Sequence, residues 1–204
     1  NTVLVQSVYD SYKNNPKQFV DRINSYGLNK PLGLPIKGEG KPVIPQPGTN
    51  RWSGVALPWM AFGYGLSVTP LQTLTLYNAV ANDGVMVKPI FVSEIKEWNK
   101  TIKKYNTEVI NPKICSQETL DKVQAVLENV VKKGTGSKLY SKDFSMAGKT
   151  GTAQVNYKDK SKLYYASSFV GYFPADEPKY SCIIVVHKPN VAAGYYGADV
   201  AGPV

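Results

Sequence analysis

Apolar residues near the start of the chain recur at the spacing of an α-helix. Two stretches show this spacing, residues 2–14 and 16–26. Their apolar positions are Leu4, Val8 and Tyr12 in the first stretch and Phe19, Ile23 and Tyr26 in the second. Asn15 is a good N-cap, Pro16 suits a first helical turn, and Gly27 suits a helix end. The pattern therefore predicts two amphipathic helices.

Residues 28–58 break this periodicity. Six prolines and five glycines lie in this stretch, so no regular element is expected there. An irregular connection of this length is usually functional or a linker. Thr69, Pro70 and Gln72 then form a capping box that predicts a new helix, and Asp83-Gly84 predicts its end. Its predicted inward positions are Leu71, Leu74, Tyr77 and Val80.

The middle of the chain alternates in short apolar stretches. Residues 85–87 and 90–95 predict strands of a small edge structure, with a polar turn near Asn99. A helix is expected over residues 116–132, followed by a connector at 134–137. Its predicted inward positions are Leu120, Val123, Leu127 and Val130.

The last third of the chain is rich in strand-forming residues. Strands are predicted at 146–155, 164–173 and 180–187, and their short connections imply antiparallel neighbours. The continuous apolar run at 182–186 suggests a strand covered on both faces. The expected fold class is α/β in the broad sense, an α+β layered domain with an antiparallel sheet and helices packed on it.

Composition and charge exclude several classes of protein. The formal net charge is +9, from 24 Lys and Arg against 15 Asp and Glu. The lysines are dispersed without a long basic run that alternates with aromatics, so we expect a solvated surface and no nucleic-acid partner. No apolar stretch is long enough to span a membrane, and no secretory signal is recognisable. Cys115 and Cys182 lack metal-ligand spacing, so no metal site is expected, and Cys182 is predicted to be a buried small apolar residue.

Residues 148–154 carry the candidate chemistry. Lys149 interrupts an apolar strand, which is costly unless the lysine faces a cleft. Thr150 and Thr152 add hydroxyls, and Gly151 leaves room for a ligand along the backbone. This segment could therefore bind an anionic group through an ammonium, two hydroxyls and a main-chain N–H.

A nucleotide-phosphate loop is the alternative interpretation of the same residues. Gly148-Lys149-Thr150 matches the last three residues of that motif, which also requires a glycine five positions before Gly148. Asp143 stands at that position, and a strand pattern rather than a helix follows Thr150. The nucleotide-binding hypothesis is therefore rejected.

Two longer segments resemble a known family. Gly148 to Gln154 together with Phe62 to Gln72 closely resemble class B penicillin-binding proteins, above all the division-specific branch. Phe169 to Pro174 and Tyr195-Tyr196-Gly197 resemble the same family in the same order. The resemblance implies an incomplete penicillin-binding/serine β-lactamase-like fold. Residues 1–204 would then be the C-terminal part of a single transpeptidase domain whose N-terminal part, with the nucleophile, is absent.

The family's activity is peptidoglycan D,D-transpeptidation by serine acyl transfer. The resemblance implies that Lys149 assists proton transfer, that Thr150 and Thr152 bind the substrate carboxylate, and that the Thr152 N–H helps to stabilise the oxyanion. Gly151 would accommodate the substrate. Tyr195 and Tyr196 would either line the cleft or be surface aromatics on a loop. No cofactor and no metal are implied.

Two of the family's motifs do not stand where they are expected. The chain has one Ser-x-x-Lys, at Ser93 to Lys96, but it lies within a strand-like pattern and is interpreted as a chance match. No Ser-x-Asn occurs, and Asn1 is either the last residue of that motif or simply a frayed terminus. The chain alone is therefore predicted to be inactive and not to be acylated by a fluorescent penicillin. His187 is expected to be structural.

The resemblance also implies partners and a location. Stem peptides and β-lactams would be the ligands, and membrane proteins of the division machinery would be partners of the full-length protein. The location would be the outer face of the cytoplasmic membrane, or the periplasm where an outer membrane exists, with an anchor upstream. The alternative is a non-catalytic penicillin-binding-like sensor or scaffold, which a Ser-x-x-Lys before Asn1 would exclude.

Overall fold

The computed structural model describes residues 2–204, which form two compact units. The first unit ends at Gln72 and the second begins at Thr73. Helices α1, α2 and α3 of the first unit span Thr2–Tyr12, Pro16–Ser25 and Ala56–Ala61, and α4, Pro70–Ala81, begins where that unit ends. The core of the first unit contains Val20, Ile44 and Met60.

Two expectations for the first unit are wrong, and a third is confirmed only in position. Helix α1 contains no buried residue, and Leu4 of the predicted apolar stripe is 60% exposed. Asn15 occupies the N-cap position of α2, as predicted, but its side chain makes no capping hydrogen bond. Helix α3 begins inside the stretch that was expected to lack regular elements. Pro58 is compatible with it because a proline in the first helical turn removes no intrahelical hydrogen bond.

The proline-rich connection is ordered by a partly buried hydrogen-bond network rather than by regular structure. The carboxylate of Glu39 accepts hydrogen bonds from the backbone N–H groups of Leu32, Gly33 and Leu34, the latter two at 3.0 Å. One side chain thus satisfies three donors that have no helix or sheet partner.

The capping box of α4 is confirmed. The Gln72 N–H donates to the Thr69 hydroxyl at 3.1 Å, and the Thr69 N–H donates to the Gln72 side chain at 2.9 Å. Asp83 and Gly84 end the helix with positive φ values of 49° and 81°. The predicted inward face is only partly correct, because the buried residues are Gln72, Thr75, Ala79 and Val80.

The second unit contains two small two-stranded sheets. Strands β1, Met86–Val87, and β4, Val109–Asn111, pair antiparallel. Strands β2, Glu94–Glu97, and β3, Lys100–Lys104, form a separate hairpin with Trp98 at its turn. Helix α5, Gln117–Lys132, has Ser116 as its N-cap, whose hydroxyl accepts the Thr119 N–H. It buries Leu120, Leu127 and Val131, so the predicted inward position of Val123 is wrong.

The main sheet has the order β5–β6–β7 and is antiparallel throughout. Its strands are β5, Ala147–Val155, β6, Tyr164–Phe173, and β7, Tyr180–His187, which confirms the three predicted strands. The central strand β6 supplies Phe169 and Tyr172 to two separate core clusters. Strand β7 is only partly buried along its length, so the expectation of full cover on both faces is wrong, and Cys182 is half-buried.

Two features that bear on function are not found in the described part of the chain. Within residues 2–204 no helix is both long and apolar enough to cross a membrane. In the same residues no three His, Cys, Asp or Glu side chains form a group that could hold a metal ion.

Candidate functional site

The candidate site lies on β5, the outer strand of the main sheet. Among residues 2–204 this strand pairs only with β6, so its other edge has no strand partner. Side chains alternate between the two faces of a strand. Thr150 and Thr152 therefore share one face, while Lys149 and Gly151 share the other. The four predicted site residues on β5 are consecutive, as the sequence requires, but they project to two faces.

The Lys149 side chain folds back, so that its ammonium lies against the backbone of its own strand. Its Nζ donates to the Thr150 carbonyl oxygen at 2.9 Å. In an antiparallel sheet, alternate residues of an edge strand direct both backbone groups away from the neighbouring strand. We infer from the lysine contact that Thr150 and Thr152 belong to that outward set. An ammonium and backbone groups without a strand partner then lie along the same edge.

Lys149 is exposed overall, yet its charged group is partly desolvated. Burial lowers the pKa of the Lys149 ammonium below its ordinary value of 10.5. None of the ion pairs found in the described chain includes this lysine. A partly desolvated cation without a counter-ion attracts an anionic ligand strongly.

The two threonine hydroxyls are held by different neighbours. Thr150 and Thr135 share a hydrogen bond of 2.9 Å between their hydroxyl oxygens. The Thr152 hydroxyl accepts the Gly197 backbone N–H at 3.0 Å, which leaves its own proton available to a ligand. Both hydroxyls are thus oriented before any ligand arrives.

The backbone around Gly151 is approached very closely by two other segments of the chain. Gly197, the first residue of the short helix α6, Gly197–Val200, sits directly against the strand. A Cβ on Gly197 would meet the Ser168 carbonyl and would lie 2.5 Å from the Gly151 carbonyl oxygen. A Cβ on Gly151 would meet the Ser168 hydroxyl. The Asp199 carboxylate of α6 also pairs with Lys138 at 2.5 Å.

Three tyrosines stack beside Thr152. The Tyr195 ring stacks on Tyr196 at a centroid distance of 4.5 Å and on Tyr165 of β6 at 4.2 Å. The hydrogen bond with Tyr196 is the main cause that raises the pKa of Tyr195 to about 12. The Ser167 hydroxyl donates to the Tyr195 carbonyl and holds the loop on the sheet. The stack joins Tyr195 and Tyr196 to β6 and leaves Tyr196 56% exposed.

Sequence reasoning missed Tyr165, Ser167 and Gly197 as neighbours of the site. Their positions follow from the cross-strand register, which pairs Gln154 with Tyr165 and Thr152 with Ser167. The alternation of β6 is visible in the sequence, but its register against β5 depends on the connecting turn.

The remaining predicted residues lie elsewhere or cannot be placed. Asn1 lies outside the described residues. Ser93 and Lys96 are exposed at the β2–β3 hairpin and lie on no helix, in agreement with a chance Ser-x-x-Lys match. His187 ends β7 and is exposed.

The chemistry of this arrangement is anion recognition along a strand. It offers one ammonium, two oriented hydroxyls and an unpaired strand edge, which suit an extended peptide ending in a carboxylate. The Lys149 ammonium, once its pKa is lowered, is also better suited to proton transfer than an ordinary lysine.

Comparison with known proteins identifies the family. Residues 1–204 match the family described as "Penicillin binding protein transpeptidase domain". The chain therefore belongs to the penicillin-binding protein transpeptidase family, which confirms the resemblance to class B penicillin-binding proteins. The penicillin-binding/β-lactamase-like fold is confirmed as well.

Individual relatives agree with this assignment. The chain is 32% identical to Stage V sporulation protein D of Bacillus subtilis (strain 168), over 89% of this chain and 28% of that protein. It is 30% identical to peptidoglycan D,D-transpeptidase FtsI of Escherichia coli (strain K12), over 91% of this chain and 29% of that protein. The chain thus spans less than a third of the length of these two relatives.

Solved structures show the same fold. Penicillin-binding protein 3 of Mycobacterium tuberculosis in its apo form superposes with a TM-score of 0.77 at 29% identity, over 92% of this chain and 44% of that one. The same protein complexed with aztreonam gives a TM-score of 0.76 at 28% identity, over the same shares of the two chains.

Proposed function

We propose that this chain is the part of a peptidoglycan D,D-transpeptidase that binds the C-terminal carboxylate of a stem peptide. Strand β5 carries this proposal. The Lys149 ammonium lies 2.9 Å from the Thr150 carbonyl at the outer edge of the sheet, with the Thr150 and Thr152 hydroxyls on the same segment. The ligand lies along the edge of β5, because Ser168 and Gly197 already occupy the space beside Gly151, and β-lactams compete for the same edge.

The reaction assigned to the whole protein is serine acyl transfer. A serine attacks the carbonyl of the penultimate D-alanine, the terminal D-alanine leaves, and an amine of a second stem peptide resolves the acyl-enzyme. Lys149 assists proton transfer to the leaving group, and the outward Thr152 N–H donates to the oxyanion. Tyr195 and Tyr196 wall the groove, and Asn1 contributes to substrate binding.

The chain's one Ser-x-x-Lys, beginning at Ser93, lies at the exposed β2–β3 hairpin and on no helix, so we expect the chain alone to bind the peptide without being acylated. We assign the whole protein to the outer face of the cytoplasmic membrane, where its substrate is found. Membrane proteins of the division machinery are its proposed partners, by analogy with the division-specific branch of the family.

A titration of the ¹⁵N-labelled chain tests this proposal. Diacetyl-L-lysyl-D-alanyl-D-alanine should shift the amide resonances of residues 149–152 and 195–197, and the L-alanyl-L-alanine isomer should not. Lys149→Gln should weaken binding about tenfold or more, because a charge-assisted hydrogen bond is lost. The matched control Lys100→Gln removes the same charge from the exposed β3 strand and should leave affinity unchanged.

Two results would refute the proposal. One is the absence of any shift on β5 at millimolar peptide, and the other is an equal loss of affinity in Lys149→Gln and Lys100→Gln. A covalent adduct of fluorescent penicillin with the chain alone, seen by mass spectrometry, would contradict its predicted inactivity.

A further inference from the structure

A cavity lies beyond the far end of β5. It has a volume of about 710 Å³ and opens between the β5–β6 turn and the segment that follows β7. We call it the hairpin-end pocket. The lining residues used below are Asn156, Lys160, Lys162, Tyr164, Tyr165 and Lys188.

The hairpin-end pocket carries an excess of positive charge. Three of its lining residues are lysines, and Asp159 is the one acidic residue between positions 156 and 165. The Asp159 carboxylate is already bonded by the Ser161 hydroxyl at 2.6 Å and lies 3.4 Å from Lys162. In the described chain, Lys160 and Lys188 have no carboxylate within ion-pair distance. The pocket therefore suits an anionic group.

The walls of the hairpin-end pocket are held in place by several contacts. The Lys188 ammonium lies over the Tyr164 ring, 5.1 Å from its centroid, and the Lys188 N–H donates to the Tyr165 carbonyl at 2.9 Å. Within the β5–β6 turn, the Asn156 side chain donates to the Lys162 carbonyl at 3.3 Å. These contacts bring lysines from two separate segments to one opening.

The hairpin-end pocket continues the candidate site along the sheet. Gln154 and Val155 pair with Tyr165 and Tyr164, which both line the pocket. Tyr165 also stacks on Tyr195, so one tyrosine borders both the pocket and the aromatic stack. A strand rises about 3.3 Å per residue, so the pocket begins about 10 Å from Thr152.

The direction of a bound peptide follows from this layout. A peptide whose terminal carboxylate lies at Thr150 and Thr152 cannot continue past Ala147 and Gly148, which are buried. Its upstream residues must run the other way, along Ala153 to Val155. After about three residues they reach the hairpin-end pocket.

We propose that the hairpin-end pocket binds a second carboxylate of the same peptide, carried about three residues upstream of its C-terminal residue. This inference rests on the proposed function of β5. The chain would thus select acidic stem peptides, with one carboxylate at Lys149 and the threonines and the other at Lys160, Lys162 and Lys188.

Two peptides that differ in one charge test this inference. N-acetyl-D-Glu-L-Lys(acetyl)-D-Ala-D-Ala and its D-Gln counterpart are titrated into the ¹⁵N-labelled chain. The D-Glu peptide should bind about tenfold more tightly, because it gains a charge-assisted contact. It alone should shift the amides of Lys160, Lys162 and Lys188, while both peptides shift those of residues 150–152.

A double variant locates the effect. Lys160→Gln with Lys162→Gln should remove most of the preference for the D-Glu peptide and leave the affinity for the D-Gln peptide unchanged. The matched control, Lys100→Gln with Lys103→Gln, makes the same charge change on β3 and should keep the preference. Thermal unfolding checks that both variants are folded.

The possible failures are distinguishable. Equal affinities for the two peptides, with shifts on β5 retained, would refute the hairpin-end pocket as a carboxylate site and leave the proposed function standing. An equal loss of preference in both double variants would also overturn it, since the effect would then be general electrostatics. If neither peptide shifts β5, the proposed function fails and this inference fails with it.

Discussion

The main sheet and the β2–β3 hairpin are both antiparallel, yet they differ in almost every other respect. In the main sheet, Phe169 is 2% exposed and Tyr172 is 1% exposed. In the hairpin, Ile95 is 46% exposed, Ile102 is 56% exposed and Trp98 is 95% exposed. Backbone pairing alone therefore says little about how firmly a strand is held. Burial against other elements gives the candidate site a rigid support that the hairpin lacks.

The largest expected effect comes from removing a buried ring of the main sheet. Phe169→Ala should lower the free energy of unfolding by about 3–5 kcal/mol, because a cavity is left among Val131, Ala201 and the strands. Urea denaturation of the chain measures this difference. A loss below about 1 kcal/mol would show that the main sheet is no better supported than the hairpin.

A smaller loss is expected where the strands approach too closely for a side chain. In Gly171→Ala the new Cβ would lie 2.5 Å from the Ala147 carbonyl oxygen and 3.2 Å from the Gly148 Cα. Both atoms belong to the backbone, so we expect a loss of about 1–3 kcal/mol. The control Gly54→Ala has no atom within 4 Å of the new Cβ and should change stability by less than about 0.5 kcal/mol. Equal Tm values for the two variants would disprove this reasoning.

The Lys149 ammonium should give a weaker, pH-dependent effect. Its pKa is lowered by desolvation, so the unfolded chain binds the proton more tightly than the folded chain. Stability should therefore rise as pH increases from the lowered pKa towards 10.5, and Lys149→Gln should lack this rise. An NMR titration of the lysine ¹⁵Nζ resonances measures the pKa directly. A value at or above 10.5 would refute the desolvation.

The smallest effect is expected at the tip of the hairpin. Trp98→Ala should change the free energy of unfolding by less than about 0.5 kcal/mol, because the indole loses almost no buried surface. The same urea denaturation measures it beside Phe169→Ala. A loss above about 2 kcal/mol would mean that the indole is covered in solution, and the contrast between the two regions would disappear.

Local chemistry made parts of the fold predictable. The bounds of β6 and β7 and the capping box of Thr69 and Gln72 follow from residues adjacent in sequence. Burial was less predictable, since it depends on which elements meet. Periodicity marks Leu4 and Val123 as inward positions, but nothing covers them sufficiently, and Val131 is buried instead. Helix α3 was missed because prolines and glycines on either side conceal a short apolar segment.

The candidate site, too, was predictable from sequence only in part. Lys149 to Thr152 could be placed on a strand because an isolated lysine in an apolar run is unusual. Tyr165 could not be joined to Tyr195 from sequence, because their stacking depends on the β5–β6 register and on the path of a loop. Similarly, the approach of Gly197 to Gly151 involves residues distant in sequence. The catalytic and binding roles of the site residues stay predictions.

The contact between Gly197 and the Gly151 backbone limits which residues can stand at position 197. Almost any side chain there would push α6 off the strand. The neighbouring Tyr196 is 56% exposed and has no such restriction. Under the function proposed above, adaptive change that discriminates between a natural ligand and an inhibitor is therefore expected to accumulate at Tyr196 while Gly197 stays fixed.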